Sequence, residues 1–278
     1  LNGMKANGLK AEVDVKLRGG ETAFKNFANY TFVNETQSFE PQEWSLFSGN
    51  LNSEGVANVG FGPLQDVYAA QMMNGTFTVK VFEQGGDFSI ASFKTKLSPY
   101  ERYVGVDLPE TTSKYGSYYD TDKDWKFNIA MVGENGTAYQ SAVALEYALY
   151  KLDSYWWWSS EDQYSLQRYA SGTYKAPVQN GNLTCNGTTS VTFNIPDDKW
   201  GGYLFVVNDK QGGNMFAKVI YFDWGYGHSS SASGASAQLS MKATADSYQV
   251  GDKIVVAFPA NDKAKALVTV EANDRVMH

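Results

Sequence analysis

The 278-residue chain has one cysteine, Cys185, and two histidines, His228 and His278. A single thiol excludes any disulfide within the chain, and a secreted eukaryotic β-protein of this size would usually carry several. Two histidines leave little for catalysis. His278 is the last residue, and His228 opens the run His228-Ser-Ser-Ser-Ala-Ser-Gly-Ala-Ser236, whose composition is that of a flexible linker. No Ser-His-Asp triad or histidine-rich metal site can be built there. No apolar run reaches the roughly 18 residues that a membrane-spanning helix needs. The opening Leu1-Asn-Gly-Met-Lys5 is not a signal peptide, so any export signal is expected upstream. A net charge of −7 argues against nucleic acid and anionic membranes as partners.

What is present points to strands. Aromatics make up 15% of the chain and there are 26 glycines, which together with many β-branched residues suggests an all-β protein. The length suggests about two domains. Leu9, Ala11, Val13, Val15 and Leu17 alternate with Lys10, Glu12, Asp14, Lys16 and Arg18, a period of two with one buried and one wet face. The expected strands continue at Asn29 to Val33, at Val56 to Phe61 after an Asn52-Ser-Glu-Gly55 turn, and in a hairpin about Gly85-Gly86. Pro99, in Ser98-Pro-Tyr100, cannot donate to a ladder and suits a joint. Beyond it Trp125, Phe127, Ile129 and Met131 alternate. Ala142 to Leu152 could be helix on propensity, but Val143, Leu145, Tyr147 and Leu149 fit period two, so a strand is expected. No segment makes a convincing amphipathic helix.

The expected organisation is an antiparallel β-sandwich over residues 1–98, a second over 99–225, a Ser/Gly/Ala-rich linker over 226–237, and a further β-unit beginning at 238. In that last unit Tyr248-x-x-Gly251-Asp252 precedes a strand from Lys253 to Phe258, then Pro259 and a second strand, Lys265-Ala-Leu-Val-Thr-Val-Glu271. Two strands cannot bury an apolar face alone, so the chain is expected to be a piece of a longer protein.

These stretches resemble the bacterial alpha-macroglobulins, large exported protease-trapping proteins. The stretch from Tyr248 through Glu271 resembles the start of the segment that bears the family's bait region. Tyr103-Val-Gly-Val106, Leu145-Glu-Tyr-Ala-Leu-Tyr-Lys151 and the tryptophans after it resemble a macroglobulin-like domain, and Leu9 to Leu17 with the Gly49 to Gly55 region resembles another. The resemblance implies fibronectin- or immunoglobulin-like scaffold domains, target proteases and neighbouring domains as partners, and a place in the periplasm or at the cell surface, free or lipid-anchored through a region upstream. The family's thioester motif, Cys-Gly-Glu-Gln, does not occur: Cys185 is followed by Asn-Gly-Thr188. The rival reading is a carbohydrate-binding or adhesin-like tandem sandwich of a bacterial surface protein.

That rival rests on Tyr155, Trp156, Trp157 and Trp158, an aromatic run that could stack on sugars. Successive strand residues point to opposite faces, so the run reads better as rings clamped over a sheet edge or joint. Asp120, Asp122 and Asp124 have the alternate spacing of a calcium loop, but Trp125 stands where the loop needs glycine and Met131 where it needs glutamate. A solvated acidic loop is the expectation. Asn-x-Thr sequons at Asn29, Asn34, Asn74, Asn135, Asn182 and Asn186 read as turn chemistry rather than glycosylation. Cys185 has no nearby positive charge to activate it and reads as an inert thiol. No catalytic residue, metal or cofactor is expected.

Overall fold

In a computed structural model the described residues are 5–64, 67–83, 85–111, 118–153 and 163–223, with 242–243, 253, 256–257, 271–272 and 275–276. They fall into two compact units. One comprises Leu1–Glu110 and Tyr118–Trp224, the other Thr111–Ser117 and Gly225–His278.

The first unit is built from three sheets. Strands β1 (Lys10–Gly19), β3 (Gln42–Asn50), β4 (Met73–Phe82) and β5 (Phe88–Leu97) form an antiparallel sheet in the order β3-β1-β4-β5. The alternation along β1 does what its period requires: Ala11, Val15 and Leu17 are buried on one face. Val15 lies opposite Phe77 of β4 and Trp44 of β3. The β4–β5 hairpin turns where the paired glycines suggest, with Gly86 at φ +92°. The segment from Gly55 to Leu64, in which a strand is expected at Val56 to Phe61, has no strand. It follows a turn held by Asn52, whose Oδ1 accepts from the amides of Glu54 (2.9 Å) and Val56 (2.9 Å). Phe61 then packs edge-on against Phe77, 5.7 Å between centroids.

The other two sheets face each other. One has the order β10-β9-β12-β13-β7, from Gln179–Cys185, Val143–Lys151, Gly201–Asn208, Met215–Asp223 and Tyr118–Asp120. The second is β11-β8-β6-β2, from Thr188–Phe193, Trp125–Gly133, Arg102–Asp107 and Tyr30–Thr31. Pairing is antiparallel except for β7, which runs parallel to β13. Trp125, Phe127, Ile129 and Met131 meet Tyr203, Phe205 and Val207 in the core between them. Phe127, Phe193 and Phe205 form a mutual ring cluster with centroids 4.9–5.4 Å apart. Tilted and edge-on contacts of this kind suit the ring quadrupoles.

Strand β12 is buried on both faces, which explains its unbroken apolar run Tyr203-Leu-Phe-Val-Val207. Leu204 and Val206 point away from the sandwich core and are covered by Leu166 and Tyr169 of helix α1 (Gln163–Ala170), with Tyr150 and Leu152. The sequence reading expects no helix here. The eight residues that form α1 gain their stability from this docking, because so short a helix is marginal alone.

The expected joint at Ser98-Pro99 is crossed by a strap. Residues 20–36 leave the β3-β1-β4-β5 sheet and pack on the sandwich. Phe24 and Phe32 lie with Tyr103, Ala130 and Val132 on the outer face of the β11-β8-β6-β2 sheet. Tyr30 and Thr31 pair with Asp107 and Val106. The strap then reaches the opposite sheet: the Ala217 amide donates to Val33 O (2.9 Å) and the Glu35 amide to Ala217 O (2.8 Å). The Glu35 carboxylate accepts from the Val219 amide (2.7 Å) and from Lys218 Nζ (2.9 Å).

In the second unit the described residues form two short antiparallel pairs, Lys242–Ala243 with Val256–Ala257 and Glu271–Ala272 with Arg275–Val276. The expected linker at 226–237 and the rest of the expected strands there lie outside the described residues.

A buried ion pair crosses the sandwich. Arg102 of β6 donates through Nε to Asp209 Oδ2 at 2.5 Å and through a second nitrogen to Oδ1 at 3.1 Å. Asp209 is fully buried and also accepts from the Gly212 amide at 2.9 Å. Replacing Asp209 with Ala takes the carboxylate from a guanidinium only 12% exposed. The expected loss is about 3–5 kcal/mol of unfolding free energy in urea titrations. Gly105 tests the strap separately: a Cβ there would sit 2.5 Å from the Phe32 ring. Gly105→Ala is expected to cost about 1–3 kcal/mol by overpacking, and to raise amide exchange in residues 30–35.

Candidate functional site

The expected site residues separate into those the structure places and those it does not describe. Tyr155, Trp156, Trp157 and Trp158 lie outside the described residues, as do His228 and His278. Among the described residues no cluster of three or more His, Cys, Asp or Glu side chains could hold a metal ion.

The acidic loop between β7 and β8 is a structural turn. Asp122 takes a positive φ of 50°. Asp120 accepts at its carbonyl from Trp125 Nε1 (2.8 Å) and its carboxylate pairs loosely with Lys123 (3.5 Å). Asp124 accepts from Asn194 Nδ2 at 2.8 Å. The carboxylates of Asp120 and Asp124 thus have separate partners. Two sequon asparagines likewise hold turns. Asn34 Oδ1 accepts from Thr36 N (3.0 Å) and Oγ1 (2.6 Å), and Asn135 Oδ1 accepts from Thr137 N (3.0 Å) and Oγ1 (2.8 Å). Asn34 is 5% exposed. Cys185 is fully buried at the end of β10, and burial pushes its thiol up from the ordinary value. A raised pKa leaves little thiolate.

One lysine stands apart. Lys151 Nζ donates to the carbonyls of Lys199 (2.8 Å) and Trp200 and lies 4.4 Å from the centre of the Tyr203 ring. Burial, with Lys199 nearby, lowers its pKa from 10.5 to about 8. No carboxylate pairs with it among the described residues. It ties β9 to the turn before β12, which is a structural task.

A cavity lies beside an apolar face of the described surface. About 230 Å³ lies between Phe61, Leu64 and Val67 on one side and Met73 and Leu97 on the other. Phe61 and Phe93 near it are 54% exposed. Sequence reading gives no sign of this face, because alternation along β4 and β5 does not say what covers them.

Residues 105–224 match the family described as bacterial macroglobulin domain 6. The chain carries a bacterial macroglobulin domain. The matched segment runs from β6 through the end of β13, so it holds most of the two facing sheets, while the strap enters from outside it. Similar solved structures include trypsin-activated alpha-2-macroglobulin from Escherichia coli, 16% identical, covering 92% of this chain and 17% of that one with a TM-score of 0.48. Salmonella alpha-2-macroglobulin reacted with methylamine is 18% identical and covers 93% and 16%, with a TM-score of 0.46. The chain therefore spans about a sixth of their length. No curated protein matches it.

The Lys151 shift has a sign that can be measured. Between pH 8 and 10.5 the unfolded lysine keeps a proton that the folded one has lost, so this group makes stability rise with pH. The thiol of Cys185 and the buried tyrosines act in the opposite sense, but equally in wild type and in Lys151→Met. The difference in unfolding free energy between the two is expected to move in favour of wild type from pH 8 to 10.5, and to be flat from pH 5 to 7.

Proposed function

We propose that this chain is a scaffold segment of an exported bacterial alpha-macroglobulin that traps proteases. The observation that carries the reading is the macroglobulin domain at residues 105–224. In this reading the segment itself performs no catalysis. It packs against other domains of the same protein, and its partners outside the protein are the target proteases that the whole molecule engages. The buried Arg102–Asp209 pair and the strap support such a role, since both make the sandwich move as one body. A rigid sandwich turns a cut elsewhere in the chain into a displacement of whole domains. The sequence has no Cys-Gly-Glu-Gln thioester motif, so no covalent capture is assigned to this segment. Extracytoplasmic placement follows from the same reading, and no helix among the described residues is long and apolar enough to cross a membrane.

The experiment uses the whole protein that contains this chain. After limiting trypsin it is expected to migrate faster on a native gel. The trypsin should keep its activity on a small peptide ester while losing most of it on casein. Unchanged mobility with full casein hydrolysis overturns the proposal. Binding of this chain to a glycan array, lost on replacing Trp156 and Trp158 with Ala, would favour the carbohydrate-binding alternative.

A further inference from the structure

Strand β5 ends its sheet, and its outer edge pairs with no strand among the described residues. It runs ten residues, Phe88–Leu97, and nine of them are exposed. Its register with β4 is unbroken from Phe82↔Phe88 to Met73↔Leu97. A long, flat, open edge is a template for another strand. The opposite edge of the same sheet is different. Strand β3 has a register shift beside Val13/Asp14, which kinks it, and its Glu43 is paired with Lys16.

The two faces of β5 carry different chemistry. On the inner face Phe93 stacks on Phe77 with centroids 4.9 Å apart and planes 4° from parallel, yet it stays 54% exposed. Four residues on, on the same face, Leu97 lines the 230 Å³ cavity. On the outer face are Phe88 and Ile90, then Lys94 and Lys96. Lys94 lies opposite Thr76 and Lys96 opposite Asn74, and Arg18 of β1 lies across Asn74 on its other side. Lys94 and Lys96 have no carboxylate partner among the described residues. A chain of net charge −7 thus presents an unneutralised basic row along its open edge.

We propose that the β5 edge is a docking site for an extended polypeptide segment whose side chains are alternately apolar and acidic. Added as a fifth strand, such a segment pairs its backbone with β5. Its apolar side chains continue the Phe77–Phe93 face and reach the cavity at Leu97, while its acidic side chains meet Lys94 and Lys96. Main-chain bonds supply affinity in this mode, and alternate side chains supply choice. The charge pattern disfavours a second copy of β5 as occupant. The strand Phe-Ser-Ile-Ala-Ser-Phe-Lys-Thr-Lys-Leu holds no acid, so each antiparallel self-pairing leaves its lysines opposite lysine, serine or an apolar residue. The proposal does not depend on the protease-trapping role.

Fluorescein-labelled ten-residue peptides of alternating Val and Glu, and of alternating Val and Lys, are the probes, read by anisotropy against the full chain at 50 mM salt. The Val-Glu peptide is expected to bind, the Val-Lys peptide to bind about tenfold more weakly or not at all, and the preference to reverse in K94E/K96E. In K94Q/K96Q the preference should vanish, with circular dichroism unchanged in both variants. Two exposed ion pairs are together worth roughly such a factor. Hydrogen exchange should show new protection in residues 88–97 on binding. Absence of binding by either peptide, equal binding to K94E/K96E and wild type, protection elsewhere than β5, or sedimentation of the free protein as a β5-dependent dimer each overturn the proposal.

Discussion

Asp209 is a carboxylate with no access to water, and the sandwich is arranged so that it is never left alone. A buried charge without partners costs several kcal/mol. Here Arg102 supplies two N–H groups and the turn after β12 supplies backbone amides from Gln211 and Gly212. Arg102 stands on one sheet and Asp209 directly follows β12 of the other, so satisfying the charge fixes how the sheets are set against each other. Tyr139 adds to the clamp, accepting from Arg102 (3.2 Å) while its ring lies 4.9 Å from the guanidinium. Next to it Asn214 Oδ1 accepts from the Val104 amide, a second polar link across the same end. The ring cluster below fills the space that these bonds define.

The macroglobulin domain is closed by residues that do not belong to its contiguous stretch. Without the strap, the outer face of β6 and β8 would expose Tyr103, Ala130 and Val132, and the far edge of β13 would lack partners at Ala217 and Val219. The strap covers the face with Phe24 and Phe32 and completes the edge with Val33 and Glu35. Gly105 is the matching concession on the sandwich side, since only a residue without a side chain leaves room for the Phe32 ring.

Period-two patterning reported the all-β class and the strands at Leu9 to Leu17, Trp125 to Met131 and Val143 to Leu149. It worked because each of these has one face against a core. Strand β3 was not legible, since the bulge beside Leu46 interrupts the alternation that Trp44 and Leu46 begin. Helix α1 was missed because its order comes from Leu166 and Tyr169 docking on β12, a tertiary effect that eight residues of local sequence do not announce. The strap was invisible for the same reason: Phe24 and Phe32 look like ordinary strand or loop aromatics until Tyr103 and Val132 are beside them. The acidic loop forms a turn and Cys185 lies in the core at the end of β10, while the aromatic run at Tyr155 to Trp158 falls outside the described residues.

The strap also sets an order of events. Its Glu35 binds Lys218 across a sequence separation of 183 residues. On a chain made from its N-terminus, residues 20–36 emerge long before β13 exists. The β3-β1-β4-β5 sheet, whose strands all lie before Pro99, can pair early. The aromatic strap must wait beside it for the rest of the sandwich. Contacts this distant in sequence slow folding, and apolar surface that waits is exposed to the wrong partners. The same seventeen residues that seal the finished domain are therefore the stretch whose protection during synthesis matters most.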